Sequence, residues 1–443
     1  EQEIVDCGGL DLTICEVGPA GIIGYNEPGS LPSSKCRLVL LSGETRQTIS
    51  TNFNTDTVPS TAITLGIGNI LSSTRIMAMA WGENRSSAVK ETIEGTITSD
   101  VPASFLQTHN HARIALDLSA AEKLTRIAHP WKVTTCEWTP KLIRRAIVWL
   151  CEKTGKPILK LTDKDYNDWG LGELVALYGS GYNVNIKVFN ELQHTITGWP
   201  GGKPNADDTY RPERATPYPK RVIVFSPHPD DDVISMGGTL KRLVDQGHDV
   251  HVAYETSGNI AVGDEDMLRY FLVMDKVAPM FGFDTPDYRK LSDIVKHTAD
   301  HKAAGDIDLQ DIREVKTMIR QAEASIACRY IGVKPDHIHF LRLPFYETGA
   351  IKKGDLTIAD IDIVCKLITD VKPHQIFVAG DLADPHGTHR VCTDAVLTAV
   401  DELKNEPWMS DCRIWMYRGA WAEWEIDHIE MAVPISPEEL RFK

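Results

Sequence analysis

Long apolar runs are missing from this chain. None approaches the roughly 18 residues of a membrane span, and the first residues lack the basic-then-apolar plan of a secretory signal. A cytoplasmic location with no membrane partner is the resulting expectation. Paired cysteine motifs are missing too: the nine cysteines are odd in number, scattered and never arranged as C-x-x-C. That pattern points to reduced thiols and excludes a thiolate zinc knuckle, so any metal here is expected on nitrogen and oxygen. Positive charge is in short supply, with 47 Lys and Arg against 62 Asp and Glu and a net charge of −15. This is the wrong sign for a nucleic-acid surface, and no nucleic-acid partner is expected. Internal repeats and low-complexity tracts are also absent. The "GIG" at Gly66 to Gly68 lacks the third glycine and the later acidic residue of a dinucleotide fingerprint.

What is present is a globular composition, 42% hydrophobic and 25% charged. At 443 residues it is too long for one ordinary core, so two domains with a connector are expected. Residues 198–220 hold five prolines and three glycines with little apolar periodicity and read as a linker. Ahead of it, residues 136–197 carry the amphipathic stretches "PKLIRRAIVWLCEKTG" and "DKDYNDWGLGELVALYG", which read as a helical connector. Residues 1–135 hold short apolar runs such as "AITLGIGNIL", "RIMAMAW" and "ARIALDL". After the linker, residues 221–443 alternate strand-like and helix-like runs: "KRVIVFS", "DVISMGGTLKRLVDQG", "HDVHVAYET", "DHIHFLRL", "IADIDIVCKLITDVK", "HQIFVAG" and "THRVCTDAVLTAVDELK". Such alternation means an α/β fold with a mostly parallel sheet and covering helices.

Ligands of open α/β sheets sit at the carboxyl ends of the strands. Two clusters fall there. "SPHPDDDVISMGG" follows "RVIVF", and "DLADPHGTHRVC" follows "HQIFVAG". Aspartates at the first turn can be a plain helix cap, or they can join histidine as ligands of a divalent ion and leave a carboxylate to act as a base. The pairing of two such clusters in one domain favours the second reading. Other histidines, the pairs His109 and His111 and His337 and His339, have the i, i+2 spacing of one strand face and read as structural.

"SPHPDDDVISMGGTL", followed downstream by "DPHGTHR" and the closing "WMYRGAWAEWE", resembles the LmbE/PIG-L family of zinc-dependent N-acetylglucosaminyl deacetylases over about Arg221 to Lys443. The resemblance implies a Rossmann-like sheet with helices on both faces. It also implies His228, Asp231 and His389 as metal ligands, Asp230 as general base and His386 as the oxyanion-stabilising group. Asp384 is expected to orient His386, and Arg269 in "DMLRYF" falls where the family often has a substrate-contacting arginine. Asp232 stands where the family usually has glutamate. Two histidines and one carboxylate are also a ferrous ligand set, so Fe(II) stays open beside zinc.

The first 135 residues resemble something else. "GLDLTICEVGPAGIIGYNEPGS", "STAITLGIGNIL" and "GENRSSAVKETIEG" are similar to the C-terminal half of glucosamine-6-phosphate deaminase, a partial α/β domain here. The family's catalytic Asp and His positions are Ala20 and Ile22, its Glu is retained as Glu27, and its phosphate-binding lysine corresponds to Arg85. Alanine and isoleucine move no protons, so this domain is expected to be non-catalytic. The chain begins with Glu1, as a piece of something longer would. The expected activity is metal-dependent removal of acetyl from an N-acetylglucosamine-type sugar or conjugate, with a small amino sugar as partner. The rivals are a non-catalytic binder of amino-sugar phosphates and a deaminase completed by a missing segment. A homo-oligomer stays open.

Overall fold

The computed structural model describes residues 2–53, 58–205, 216–303, 305–350, 353–382, 384, 387–419 and 423–443. Two compact units divide the chain, Glu1–Ile186 and Lys187–Lys443, with the division inside the helix Gly181–Thr195. Among the described residues no helix is long and apolar enough to cross a membrane.

The first unit holds strands β1 (Leu12–Glu16), β2 (Arg37–Leu40), β3 (Thr61–Thr64), β4 (Arg75–Ala80) and β5 (Ala112–Leu116). Strands β1, β4 and β5 form a parallel sheet in that order, and β2 pairs antiparallel with β3. The central strand β4 buries Ile76, Ala78 and Ala80 in a core with Val17, Ile23 and Val89. The helix Pro140–Thr154 then starts where local chemistry says it should: the Thr139 side chain accepts the Leu142 N–H, proline opens the first turn, and Gly155 ends it at a φ of 65°.

The second unit is built on β6 (Arg221–Ser226), β7 (Asp249–Tyr254), β8 (Ile338–Phe340), β9 (Gln375–Ala379) and β10 (Arg413–Tyr417), in the sheet order β10-β9-β6-β7-β8 with every neighbouring pair parallel. Both faces are covered. Alternate residues of β6 enter different cores. Ile223 and Phe225 meet the helices Ile358–Val371 and Thr388–Leu403, while Val222 and Val224 meet Asp231–Asp245 and Gln310–Ile331. That two-sided burial is why "RVIVF" and "QIFVA" read as continuous apolar runs instead of alternating ones. Strand β8 is shorter than the run "DHIHFLRL" suggests, since Pro335–His337 is a tight turn ahead of it. Three helices between β7 and β8, Asp264–Phe281, Pro286–His301 and Gln310–Ile331, have no counterpart in the sequence reading.

The order of strands decides where a ligand goes. From β6 the chain moves outward to β7 and β8, then returns to β9 on the other side of β6. The carboxyl ends of β6 and β9 therefore flank a topological switch point, the natural crevice of an open α/β sheet.

Candidate metal centre

Between the end of β6 and the helix Asp231–Asp245 the chain turns within residues 227–230. Ser226 Oγ donates to the His228 carbonyl at 2.6 Å, the Asp230 N–H donates to the same carbonyl at 2.8 Å, and Thr256 Oγ1 donates to the Pro227 carbonyl at 2.7 Å. The turn is pinned from both sides. It delivers Asp231 and Asp232 into the first helical turn, where free N–H groups and the helix dipole favour carboxylates.

The two aspartates then meet different partners. Asp232 is fully buried and accepts hydrogen bonds from Tyr254 at 3.1 Å and Ser226 at 3.3 Å. Burial pushes its carboxyl up to about 6 against those bonds. Asp231 accepts the His228 N–H at 2.9 Å, and the same oxygen lies 3.1 Å from His228 Nδ1 and 3.2 Å from His389 Nε2. His389 comes from the first turn of the helix after β9, so the switch point brings two distant clusters to one place. The imidazole rings of His228 and His389 are 5.3 Å apart, and one donor atom from each of the three residues falls within 4.8 Å of the others. Burial alone raises the Asp231 carboxyl, yet the hydrogen bonds from His228 and His389 outweigh it and hold it well below the usual carboxylate range. His389 is raised in turn: burial lowers it, and the Asp231 contact prevails.

This donor set fits a divalent ion. Two imidazole nitrogens and one carboxylate oxygen leave coordination positions open, as catalytic zinc sites do, and the same set serves ferrous iron. Burial sharpens the argument. Asp231 is nearly inaccessible yet held ionised, and a buried carboxylate charge of that kind needs a cationic partner. The Glu255 carboxyl, just after β7, is pushed up to about 8 by burial and then by the Asp231 charge.

Asp230 is half-buried, and its Oδ1 lies 3.1 Å from Nη2 of Arg320 on the helix Gln310–Ile331. Tyr346, buried, sets its ring edge-on 6.1 Å from His228, and Lys353 Nζ lies 3.9 Å over the Tyr346 ring, its pKa lowered to about 8 by burial. Asp384 is buried and accepts the Thr388 N–H at 3.0 Å, capping the helix that carries His389. His386 lies outside the described residues, and with it the expected Asp384–His386 contact. Arg269 is exposed on the helix Asp264–Phe281, 3.7 Å from Asp266, and its described contacts do not reach the cluster. Arg320, Tyr346, Lys353 and Glu255 were not found in the sequence. Only Glu255 left a signal, as an acidic residue directly after a parallel strand.

In the first unit Ala20 occupies a short turn at a φ of 51°, and Ile22 is buried. Glu27 accepts the Ser42 N–H at 3.0 Å and helps line a cavity of about 510 Å³ with Ser30, Ser34 and Arg37. Arg85 pairs with Glu16 at 3.3 Å.

Residues 223–400 match the PIG-L family, described as GlcNAc-PI de-N-acetylase. A glucosamine-6-phosphate deaminase-like protein of Bacteroides thetaiotaomicron is 60% identical across the whole of this chain and 67% of its own length. The chain belongs to that deaminase-like family. Its two parts have separate kin. The glucosamine-6-phosphate deaminase of Halothermothrix orenii is 42% identical over 28% of this chain and 52% of its own, so the chain spans about half the length of the deaminases it matches. The solved N,N'-diacetylchitobiose deacetylase of Pyrococcus horikoshii is 19% identical over 45% of this chain and 61% of its own, with a TM-score of 0.28. The deaminase-like family member described here thus joins a partial deaminase-like unit to a PIG-L domain.

Proposed function

We propose that the second unit hydrolyses the N-acetyl group of an N-acetylglucosamine-type sugar or conjugate and releases acetate, using a divalent ion, zinc or ferrous iron, held by His228, Asp231 and His389. The observation that carries this reading is the convergence of those three donors at the switch point of a PIG-L domain. When bound, the ion supplies Lewis acidity toward the amide carbonyl and eases ionisation of a water. Asp230 takes the proton of the attacking water. Arg320 holds one oxygen of that carboxylate and leaves the other for the proton. As the tetrahedral adduct collapses the C–N bond breaks, the proton passes from Asp230 to the departing amine, and acetate is left. His386 is assigned to the developing oxyanion, and Arg269 to the sugar at the rim.

The first unit does not deaminate in this reading, because Ala20 and Ile22 offer no proton-transfer group. Acetate release from a panel of N-acetyl sugars by the full chain tests the proposal. Stoichiometric acetate and free amine are expected, abolished by chelation and restored by zinc or ferrous ion. A metal-replete protein that releases acetate from no N-acetylglucosamine compound would overturn it.

A further inference from the structure

A second set of metal-ligating side chains meets elsewhere in the same unit. Asp249 opens β7 and His251 follows it, while His337 ends the turn before β8 and His339 lies within β8. The parallel register sets Ala253 beside His339, so residues 251 and 339 share one face of the pleat, and the turn ahead of β8 adds His337 to them. The rings of His251 and His337 stack 3.9 Å apart, and His339 is 5.3 Å from His251. His251 Nδ1 lies 3.0 Å from His339 Nε2, and its other nitrogen lies 3.8 Å from an Asp249 oxygen. His337 Nδ1 is 3.2 Å from the Val250 carbonyl and 3.5 Å from the second Asp249 oxygen. One donor atom from each of Asp249, His251 and His337 falls within 4.8 Å of the others. This is the amino end of the sheet, opposite the end that holds His228, Asp231 and His389.

We propose that Asp249, His251 and His337 bind a second, borderline divalent cation of the zinc, nickel or copper class, with His339 orienting His251. Imidazole with carboxylate suits these ions, whereas magnesium and calcium take oxygen alone. When His251 donates its Nδ1–H to His339, the Nε2 lone pair is left on the Asp249 side, the way metal-binding histidines are held by their second nitrogen. Rotation about the last torsion of His337 is soft; it exchanges the contact of Nδ1 with the Val250 carbonyl for a lone pair aimed beside Asp249, while His251 stays fixed by His339. Lys334 lies 3.2 Å from Asp249 but is mostly exposed, and such a pair gives way at little cost. The ion ties the three-residue edge strand β8 to β7.

Titration of the metal-free full chain with Zn²⁺, and with Co²⁺ as a spectroscopic probe, tests this. Wild type is expected to retain two ions per chain after desalting, Asp231→Ala/His389→Ala one, and His251→Gln/His337→Gln one. Asp249→Asn keeps both rings in place and weakens the second site by about tenfold or more, the least expected for a lost ligand. Zn²⁺ also raises the Tm of Asp231→Ala/His389→Ala. The proposal is overturned if His251→Gln/His337→Gln or Asp249→Asn, melting like metal-free wild type, binds as many ions with wild-type affinity, or if Asp231→Ala/His389→Ala binds none. A wild type holding one ion that only the His251→Gln/His337→Gln change removes supports this site while refuting the one at His228.

Discussion

Asp230 and Asp231 are adjacent in the chain, yet one is half-buried against Arg320 and the other is enclosed by two imidazoles. Their substitutions should therefore fail differently. Asp230→Asn is expected to keep metal and fold while lowering kcat by about 10²–10⁴, the range for a lost general base. Asp231→Ala is expected to weaken metal binding by at least about 10–100-fold, the effect of disturbing even an outer partner. Metal analysis beside acetate-release kinetics separates the two, and loss of the metal from Asp230→Asn would show that the roles are misassigned. The two aspartates look alike in "HPDDD" because sequence records their order and not the direction each side chain takes.

At the scale of elements, two loops decide how the site is held. Gly258 follows β7 with a φ of 62°, and a Cβ there would lie 2.8 Å from Pro229 Cδ and 3.1 Å from Arg320 Nε. Gly258→Ala adds a left-handed backbone cost of about 1–2 kcal/mol to that clash. A lower Tm and a lower kcat with metal retained are expected; unchanged values for both would refute the close approach. The entry to β6 is held differently. The Lys220 N–H donates to His248 Nδ1 and the Arg221 N–H to His374 Nδ1, each at 3.0 Å. Burial, and then Lys220 for His248 and Arg221 for His374, lowers both imidazoles from 6.5 to about 4. The unfolded chain thus binds more protons between those values, and stability present above pH 6.5 is lost as the pH falls toward 4. For His248 the loss is on the order of 2–3 kcal/mol. Tm measured across that window should fall, and His248→Asn should flatten the slope. A flat wild-type profile would contradict the arrangement.

For the whole molecule, a PIG-L domain and a deaminase-like unit share one chain, and the deaminase-like unit is proposed to be inactive because Ala20 and Ile22, at the positions assigned to proton transfer, carry no titratable group. The full chain is expected to release no ammonia from glucosamine 6-phosphate, while phosphosugar binding through Arg85 remains open to it. A coupled ammonia assay reading above a heat-inactivated control would show that the unit is active.

Local chemistry carried the repeating β and α runs of the second unit, the amphipathic helix from Pro140 and the strand-end clusters, because apolar period and turn residues act within a few positions. From those signals alone the α/β class and the two strand-end clusters were legible, and the resemblance to the LmbE/PIG-L family is what singled out His228, Asp231 and His389 within them. The three helices before β8 were not, and Arg320 went unnoticed with them, since a single arginine on a helix carries no mark of the partner it meets. Only the tertiary structure decided that β9 returns beside β6 and brings His389 to Asp231. The same holds for β8, which pairs with β7 and sets His337 against His251, the juxtaposition on which the proposed second cation site rests. Contacts of that kind depend on strand order and register, which burial across the whole sheet selects and no local pattern encodes.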